Sequence, residues 1–494
     1  MTNPKFIKYL FVFFFISLFQ SAEFNLSCTS SELCFSSLGS EYQCINGKCQ
    51  NEELYNFGAK WVFGMLLILS ISSIANAGGV GGGAVLSAVY VLVFGYSMSD
   101  AIPLANIAIF AGAVINVWML VGRRQKDDEN QLYIKYRMVS LFMPLMISGS
   151  MVGVILNQFL PPIVIISFLT YFLISKTFGL YWTIKKEELK EEIKTLVEAK
   201  NSKEIELKEM SETDSSSNNK SPMTENLSKN DKSIDQISKS SDGYFKFKIS
   251  RQSNEEIEEL FENSKLDINK LLSRDYWYIC KIGIVYLFFI GSLFIRGGRT
   301  LDSIIGISPC SILGWLVFGL THLGFYYFFK LRGPEIDTTA NPRESLLGGE
   351  VLLEEYKEEN MVKDSFISGV IASTLGLGGG VVLLPILINR RMAPETASGI
   401  CSVLVLMTSL SATTQFMIVG AFSFRDVVLI STLSGIGSFV GSKGIDYLVQ
   451  KYNKPSLIIW MVFAIYLLSA FFLPLIGIQN IFSSSNALEF GLLC

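Results

Sequence analysis

The sequence predicts an all-α polytopic membrane protein built from two inverted-topology repeats, each containing a short, glycine-broken helix. Three observations carry that expectation. First, half of the residues are hydrophobic (50%) and 17% are charged, against about 25% charged in soluble domains. Second, the apolar residues gather in runs close to the ~20 residues that cross a bilayer. Third, an unusual glycine run occurs twice: "NAGGVGGGAVL" from Asn76 and "STLGLGGGVVLLPIL" from Ser373. A net charge of −3 gives no electrostatic reason to expect a nucleic-acid partner.

Taken in order, residues 1–22 read as a signal peptide. Lys5 and Lys8 precede an apolar run from Tyr9 to Phe19, and the small residues Ser21 and Ala22 follow. Gln20 departs from the usual small residue, so an uncleaved anchor is the rival reading. Residues 23–57 form a luminal or extracellular Cys-rich segment. Cys28, Cys34, Cys44 and Cys49 are an even set suited to two disulfides in an oxidising compartment, in any of three pairings. A zinc site competes, but no histidine accompanies the four. Asn25 opens the sequon Asn25-Leu26-Ser27. The remaining cysteines are scattered, and those in or beside apolar runs (Cys280, Cys310 and Cys401) read as small hydrophobes.

The first transmembrane block covers residues 58–184, with runs at 60–77, 83–95, 101–122, 138–156 and 161–183. A polar insert follows at 185–274. Its charged first part reads as a solvated helix, and its Ser-, Asn- and Lys-rich middle cannot bury a core, so it reads as a disordered spacer. Linking transmembrane helices occupy 275–330 (runs 276–296 and 310–330), and a cytoplasmic linker occupies 331–363. The second block, 364–480, has runs at 365–377, 380–389, 395–420, 425–443 and 456–477, and a tail closes the chain at 481–494.

The two glycine runs align with their surroundings. Gly81, Gly82 and Gly83 match Gly378, Gly379 and Gly380, and Asn106 matches Ser402 after a one-residue slip. Each copy reads as a helix ending at glycines, a short apolar helix, a polar turn, then a long span opening with small residues. With the mature N-terminus outside, Arg123, Arg124, Lys126, Lys185, Lys186, Arg390, Arg391, Lys443, Lys451 and Lys454 fall inside. That satisfies the positive-inside bias and makes the repeats inverted. Arg296 and Arg299 fall outside, against the bias. The sequons at Asn219 and Asn226 are placed in the cytosol.

A helix break inside a bilayer leaves amides that no water satisfies, so breaks persist where protein buries them or a cavity adjoins them. Paired, glycine-interrupted short segments in inverted halves point to a transport site near the midplane. Each short helix aims its positive end at the break, which favours an anion over a cation. The plainer reading is close helix packing through small residues, and two aligned clusters weigh against it. A phosphate loop is excluded, since no Gly-Lys-Ser/Thr follows either cluster.

With "GGVGGGAVL" and "GLGGGVVLLPIL", each followed by a turn and a small-polar helix start, the chain resembles the sulfite exporter TauE/SafE family. The resemblance spans both membrane blocks and is sharper in the second, where Pro385 and "ETASGICSVLV" fit the pattern. In the first, Ala88 stands in place of that proline and "IPLAN" replaces the usual Ala-x-x-Thr-Ser form. The resemblance implies transport of sulfite, sulfoacetate or related small anions. It does not explain the signal, the Cys-rich segment or the long insert.

The expected substrate site draws on backbone groups of Gly81, Gly82, Gly83, Gly378, Gly379 and Gly380. It adds the polar side chains of Asn106, Asn116, Ser402, Thr408, Ser409 and Gln415. Ordinary interhelical hydrogen bonding is the bland alternative for each of these side chains. Lys176 reads as snorkelling to the cytoplasmic interface. His322, the only histidine, reads as a structural residue bonded to a neighbouring helix rather than a proton relay. Asp100, Glu395, Arg425 and Asp426 read as interfacial turn residues. With one histidine, no catalytic triad or His-rich metal site stands out, so the expectation is a non-enzyme without cofactor or metal. The expected partners are a small anionic substrate and the lipid bilayer of the plasma membrane or a secretory endomembrane. Room is left for a homo-oligomer and for a cytosolic partner of the 185–274 insert. Against the leading function, alternating-access anion transport, stand a transport-inactive receptor or scaffold and, third, a cation transporter, for which the sequence offers few carboxylates.

Overall fold

In hydrocarbon every backbone polar group must find a partner within the protein, so long apolar runs close their hydrogen bonds as helices. The computed structural model of the chain describes residues 42–45, 48–51, 58–96, 98–121, 123, 133–161, 163–186, 188–189, 276–298, 303–308, 310–331, 358–390, 392, 394–419, 424–452 and 456–483. The signal peptide, Asn25, Cys28, Cys34, nearly all of the 185–274 insert with Asn219 and Asn226, most of the 331–363 linker, Arg299 and the end of the tail lie outside the described residues.

A short antiparallel hairpin comes first: β1 (Tyr42–Ile45) and β2 (Lys48–Asn51), with Cys44 opposite Cys49. The helices follow as α1 (Ala59–Ala77), α2 (Gly83–Leu92), α3 (Met98–Leu120), α4 (Tyr136–Phe159), α5 (Ile163–Lys186), α6 (Tyr276–Arg296), α7 (Ile312–Lys330), α8 (Glu358–Leu375), α9 (Gly380–Asn389), α10 (Pro394–Val419), α11 (Phe424–Tyr452) and α12 (Ser456–Ser483). Among the described residues, 8 of these helices are long and apolar enough to cross a membrane. Large apolar side chains such as Phe178, Trp182, Leu287, Ile312 and Leu323 are exposed on their outer faces, as expected where the surrounding medium is lipid.

The order and lengths of α1–α5 recur in α8–α12. The first helices have 19 and 18 residues, the short second ones 10 each, and the third ones 23 and 26. Two boundaries differ from the hydropathy reading. α8 starts at Glu358, inside the expected linker, because its first turn is charged: Glu358 and Glu359 suit the positive helix end, and Glu359 pairs with Lys363 at 2.5 Å. α11 likewise continues past 443 to Tyr452 on a polar last turn.

Packing between the repeats is reciprocal. The first helix of each repeat lies against the fourth of the other, α1 on α11 and α8 on α4, while α3 and α10 meet in the middle. Small residues allow the close approach. On α4, a Cβ on Gly149 or Gly153 would run into the Phe366 or Val370 carbonyl of α8. On α11, one on Gly437 or Gly441 would meet the Leu69 or Ser73 carbonyl of α1. In a bilayer such packing, with interhelical hydrogen bonds, takes over from the hydrophobic effect. A serine ladder supplies the hydrogen bonds between α11 and α3. Ser434 Oγ donates to the Ala108 carbonyl (2.5 Å), Ser438 Oγ to the Gly112 carbonyl (2.7 Å) and Ser442 Oγ to Asn116 Oδ1 (3.0 Å). On α12, the buried Tyr466 hydroxyl donates to the Val381 carbonyl of α9.

Two sequence readings change. Cys310, taken as a small hydrophobe, is disulfide-bonded, as is Cys44; Cys280 and Cys401 are free. Asp426, taken as interfacial, is 1% exposed, and its Oδ2 accepts from the Tyr96 hydroxyl at 3.5 Å. It sits in the first turn of α11, where packing of the α2–α3 turn covers the helix start. His322, expected to bond a neighbouring helix, bonds its own through Nδ1 to the Phe318 carbonyl at 2.7 Å, and its ring also faces the Ser148 backbone of the neighbouring α4.

Candidate functional site

The two glycine breaks meet. At the first, Gly81 has φ 90°, a left-handed conformation strained for any residue with a Cβ; at the second, Gly378 has φ 78°. The helices resume at Gly83 and Gly380. A Cβ on Gly83 would collide with the Gly376 carbonyl, and a Cβ on Gly380 with the Gly79 carbonyl. One step inward the relation repeats. A Cβ on Gly81 would lie 3.4 Å from the Leu377 oxygen, and one on Gly378 would lie 3.1 Å from the Val80 oxygen. Each break therefore presents a carbonyl to the first helical residue of the other. The correspondence is not complete in detail, since Gly82 is left-handed whereas Gly379 is right-handed.

The long helices α3 and α10 flank this junction in the same reciprocal manner. A Cβ on Gly376 would lie 3.5 Å from Asn106 Nδ2, and one on Gly79 would lie 2.9 Å from Ser402 Oγ. Asn106 and Ser402, aligned in sequence, thus each stand beside the opposite repeat's break. Both also bond the preceding turn of their own helix, to the Ile102 and Ser398 carbonyls (3.0 and 2.8 Å). Sequence reasoning missed Ile109 and Val405, each three residues beyond the aligned pair. Both are fully buried and touch both breaks. Ile109 reaches Gly81, Gly83 and Gly378, while Val405 reaches Gly81, Gly378 and Gly380. Their equal offset from Asn106 and Ser402 was the available signal, but two aliphatic residues on apolar helices carry no chemical mark.

Polar side chains tie the breaks to the repeats. Asn116 Nδ2 donates to the Asn76 carbonyl at the end of α1 (2.6 Å) and to Ser402 Oγ of the other repeat (3.0 Å), while its Oδ1 accepts from Ser442. Ser398 Oγ donates to the Gly78 carbonyl (3.2 Å). Side chains of α3 and α10 thereby add hydrogen bonds to the carbonyls at the end of α1. At the second break, Thr408 Oγ1 accepts from the Gly379 amide (3.3 Å) and Asn157 Nδ2 donates to the Thr374 carbonyl (2.9 Å). Gln415 lies further along α10, bonded to Ser411, which joins Ser150 and Ser373. Ser409 Oγ bonds only the preceding turns of α10, at Val405 and Leu406. Of the expected site residues, the structure brings together the six glycines, Asn106, Ser402, Asn116 and Thr408; Ser409 and Gln415 serve helix bonding and packing.

The junction is uncharged in its side chains and rich in backbone dipoles. Neither short helix carries a side-chain cap at its start. First-turn amides lack partners within their helix and concentrate the positive end of the dipole. Such a site can hold an anion by hydrogen bonds and partial charge without the deep well that a fixed cation would create.

The chain has relatives among known proteins. The family model described as sulfite exporter TauE/SafE matches residues 3–180 and 364–487. The match takes in nearly all of the first five helices and of the last five, and leaves out α6 and α7. Sulfite exporter TauE/SafE family protein 2 of Arabidopsis thaliana is 24% identical over 462 residues, covering 88% of this chain and 87% of its own length. Family protein 1 of the same plant is 21% identical over 462 residues, covering 88% of each chain. The probable membrane transporter protein YunE of Bacillus subtilis is 26% identical over 102 residues, 19% of this chain and 36% of its own. No solved structure is a significant match. The chain is a multi-pass membrane protein that belongs to the sulfite exporter TauE/SafE family.

Proposed function

We propose that the protein carries small anions, of the sulfite or organosulfonate class, across its membrane by alternating access between two inverted repeats. The observation that supports this most is the reciprocal meeting of the breaks: Gly83 against the Gly376 carbonyl, and Gly380 against the Gly79 carbonyl. Two uncapped helix starts brought to one buried junction supply amide donors from both halves of the molecule. Ile109 and Val405 fill the space between them, so passage requires the halves to part. Reciprocal packing of α1 on α11 and α8 on α4 makes a rocking motion of paired helices the natural way to do it. The relatives are named as sulfite exporters, and the neutral, donor-bearing junction fits a mobile oxyanion rather than a metal cation.

The test is flux. Purified full-length protein in liposomes is expected to move radiolabelled sulfite well above protein-free vesicles, with sulfate and sulfoacetate as competitors. Sulfite movement no faster than in empty vesicles would overturn the reading.

A further inference from the structure

Two basic side chains gather around one aromatic ring on the helices that the family model leaves out. Arg296 ends α6, and His322 lies midway along α7. The Arg296 guanidinium stacks over Phe318 (4.6 Å to the ring centre) and Trp315 (5.7 Å). Phe318 in turn lies 4.3 Å, ring to ring, from His322. Stacking covers a face of the guanidinium and leaves its donors, which point outward in the plane, unused. Arg296 Nε is enclosed and has no hydrogen-bond partner, and neither has His322 Nε2. Among the described residues no carboxylate pairs with either group.

An enclosed cation without a counter-charge is costly, and an ionisable group within a membrane-spanning helix, as His322 is, marks function unless paired. Arg296 acts on His322 electrostatically, so a proton taken up by the imidazole adds to the demand for negative charge. The imidazole geometry adds a second fact. A carbonyl only accepts, so His322 Nδ1 donates to Phe318 and its proton is held there. Nε2 is therefore the nitrogen that gains and loses a proton. When neutral it offers a lone pair; when protonated it becomes a second donor, within electrostatic reach of Arg296.

We propose that Arg296 and His322 form an oxyanion site on the linking helices, separate from the glycine junction, which takes up its anion together with a proton on His322 Nε2. Arg296 is the charged group that acts on His322 among the described residues. Lys330, at the far end of α7, is paired with Glu358. On the other side the His322 ring lies against the Ser148 backbone of α4, and the next residue, Gly149, packs on Phe366 of α8. The site thus abuts the α4–α8 seam, where the two repeats meet. Histidine is the side chain whose ordinary charge change falls between about pH 5 and 8, so anion affinity here rises as pH falls.

The proposal gives this anion-transporter reading a second, proton-linked site, and its test is independent of transport. Sulfate is the probe, because it keeps its double charge across the pH range used. Sulfate-dependent thermal stabilisation is measured on the full-length protein in detergent at pH 8.0 and 5.5. In the wild type, apparent sulfate affinity is expected to strengthen on acidification by up to about tenfold per pH unit. His322→Gln is expected to lose that pH dependence, and Arg296→Gln to lose at least tenfold in affinity at pH 5.5. His322→Lys, whose charge is fixed across this range, is expected to bind sulfate at both pH values, which separates a charge effect from misfolding. Unchanged pH dependence in His322→Gln, or unchanged affinity in Arg296→Gln, overturns the proposal. Sulfate binding that follows these expectations in a protein that moves no sulfite would sink the transport reading and leave this site standing.

Discussion

Gly83→Ala and Gly380→Ala are each expected to abolish sulfite flux and to destabilise the protein by about 3 kcal/mol, the upper range for forcing a methyl into a packed interior. The added Cβ has nowhere to go, because what it meets is the backbone carbonyl of the opposite break, and backbone held at both ends cannot turn aside as a flexible side chain can. The measurement is thermal unfolding in detergent beside flux in liposomes. Gly291→Ala and Gly444→Ala serve as controls, since nothing lies within 4 Å of a Cβ at either position. Both should unfold and transport as the wild type does. A Gly83→Ala protein of normal stability and flux would mean that the breaks do not meet as described.

Asn116→Leu is expected to be the next most damaging change, costing about 2 kcal/mol, because the buried Ser442 hydroxyl loses its acceptor and two bonds that tie α3 to its neighbours go with the amide. Its amide holds the Asn76 carbonyl at the end of α1 and the Ser402 hydroxyl of the other repeat, and its oxygen receives Ser442. Asn106→Leu offers the contrast. Asn106 donates to Ile102 in its own helix, so unfolding should shift by less than about 1 kcal/mol. Because Asn106 lies beside Gly376, its loss should instead slow flux at least tenfold. Equal loss of stability in the two variants would remove the distinction between a residue that ties the repeats together and one that lines the junction.

Much of this was legible in the sequence because hydropathy and glycine are strong local signals. Runs of near-bilayer length became helices, and "GGVGGG" and "GLGGG" marked breaks since few other residues tolerate them in a membrane. The slip that aligned Asn106 with Ser402 placed both beside the breaks. What stayed hidden depends on side-chain direction and long-range packing. Ile109 and Val405 look like any aliphatic residues until the repeats cross. Ser409 and Gln415 share a helix with Thr408 but bond along it, and spacing alone did not separate them. Asp426 was misplaced because a charged residue at a turn suggests exposure, whereas the turn after α2 covers it. The start of α8 was set too late because its charged first turn is helical for reasons that hydropathy does not see.

The central claim is that anions pass between the two glycine breaks, and Ile109 and Val405 stand between them. Radiolabelled sulfite flux by an Ile109→Cys/Val405→Cys protein, before and after bridging by a short bismaleimide and removal of excess reagent, tests it most directly. Wild-type protein treated in the same way accounts for the free Cys280 and Cys401. Bridging is predicted to stop flux in the double variant and spare the wild type. Undiminished flux through a protein whose two breaks are demonstrably tied together would contradict the account.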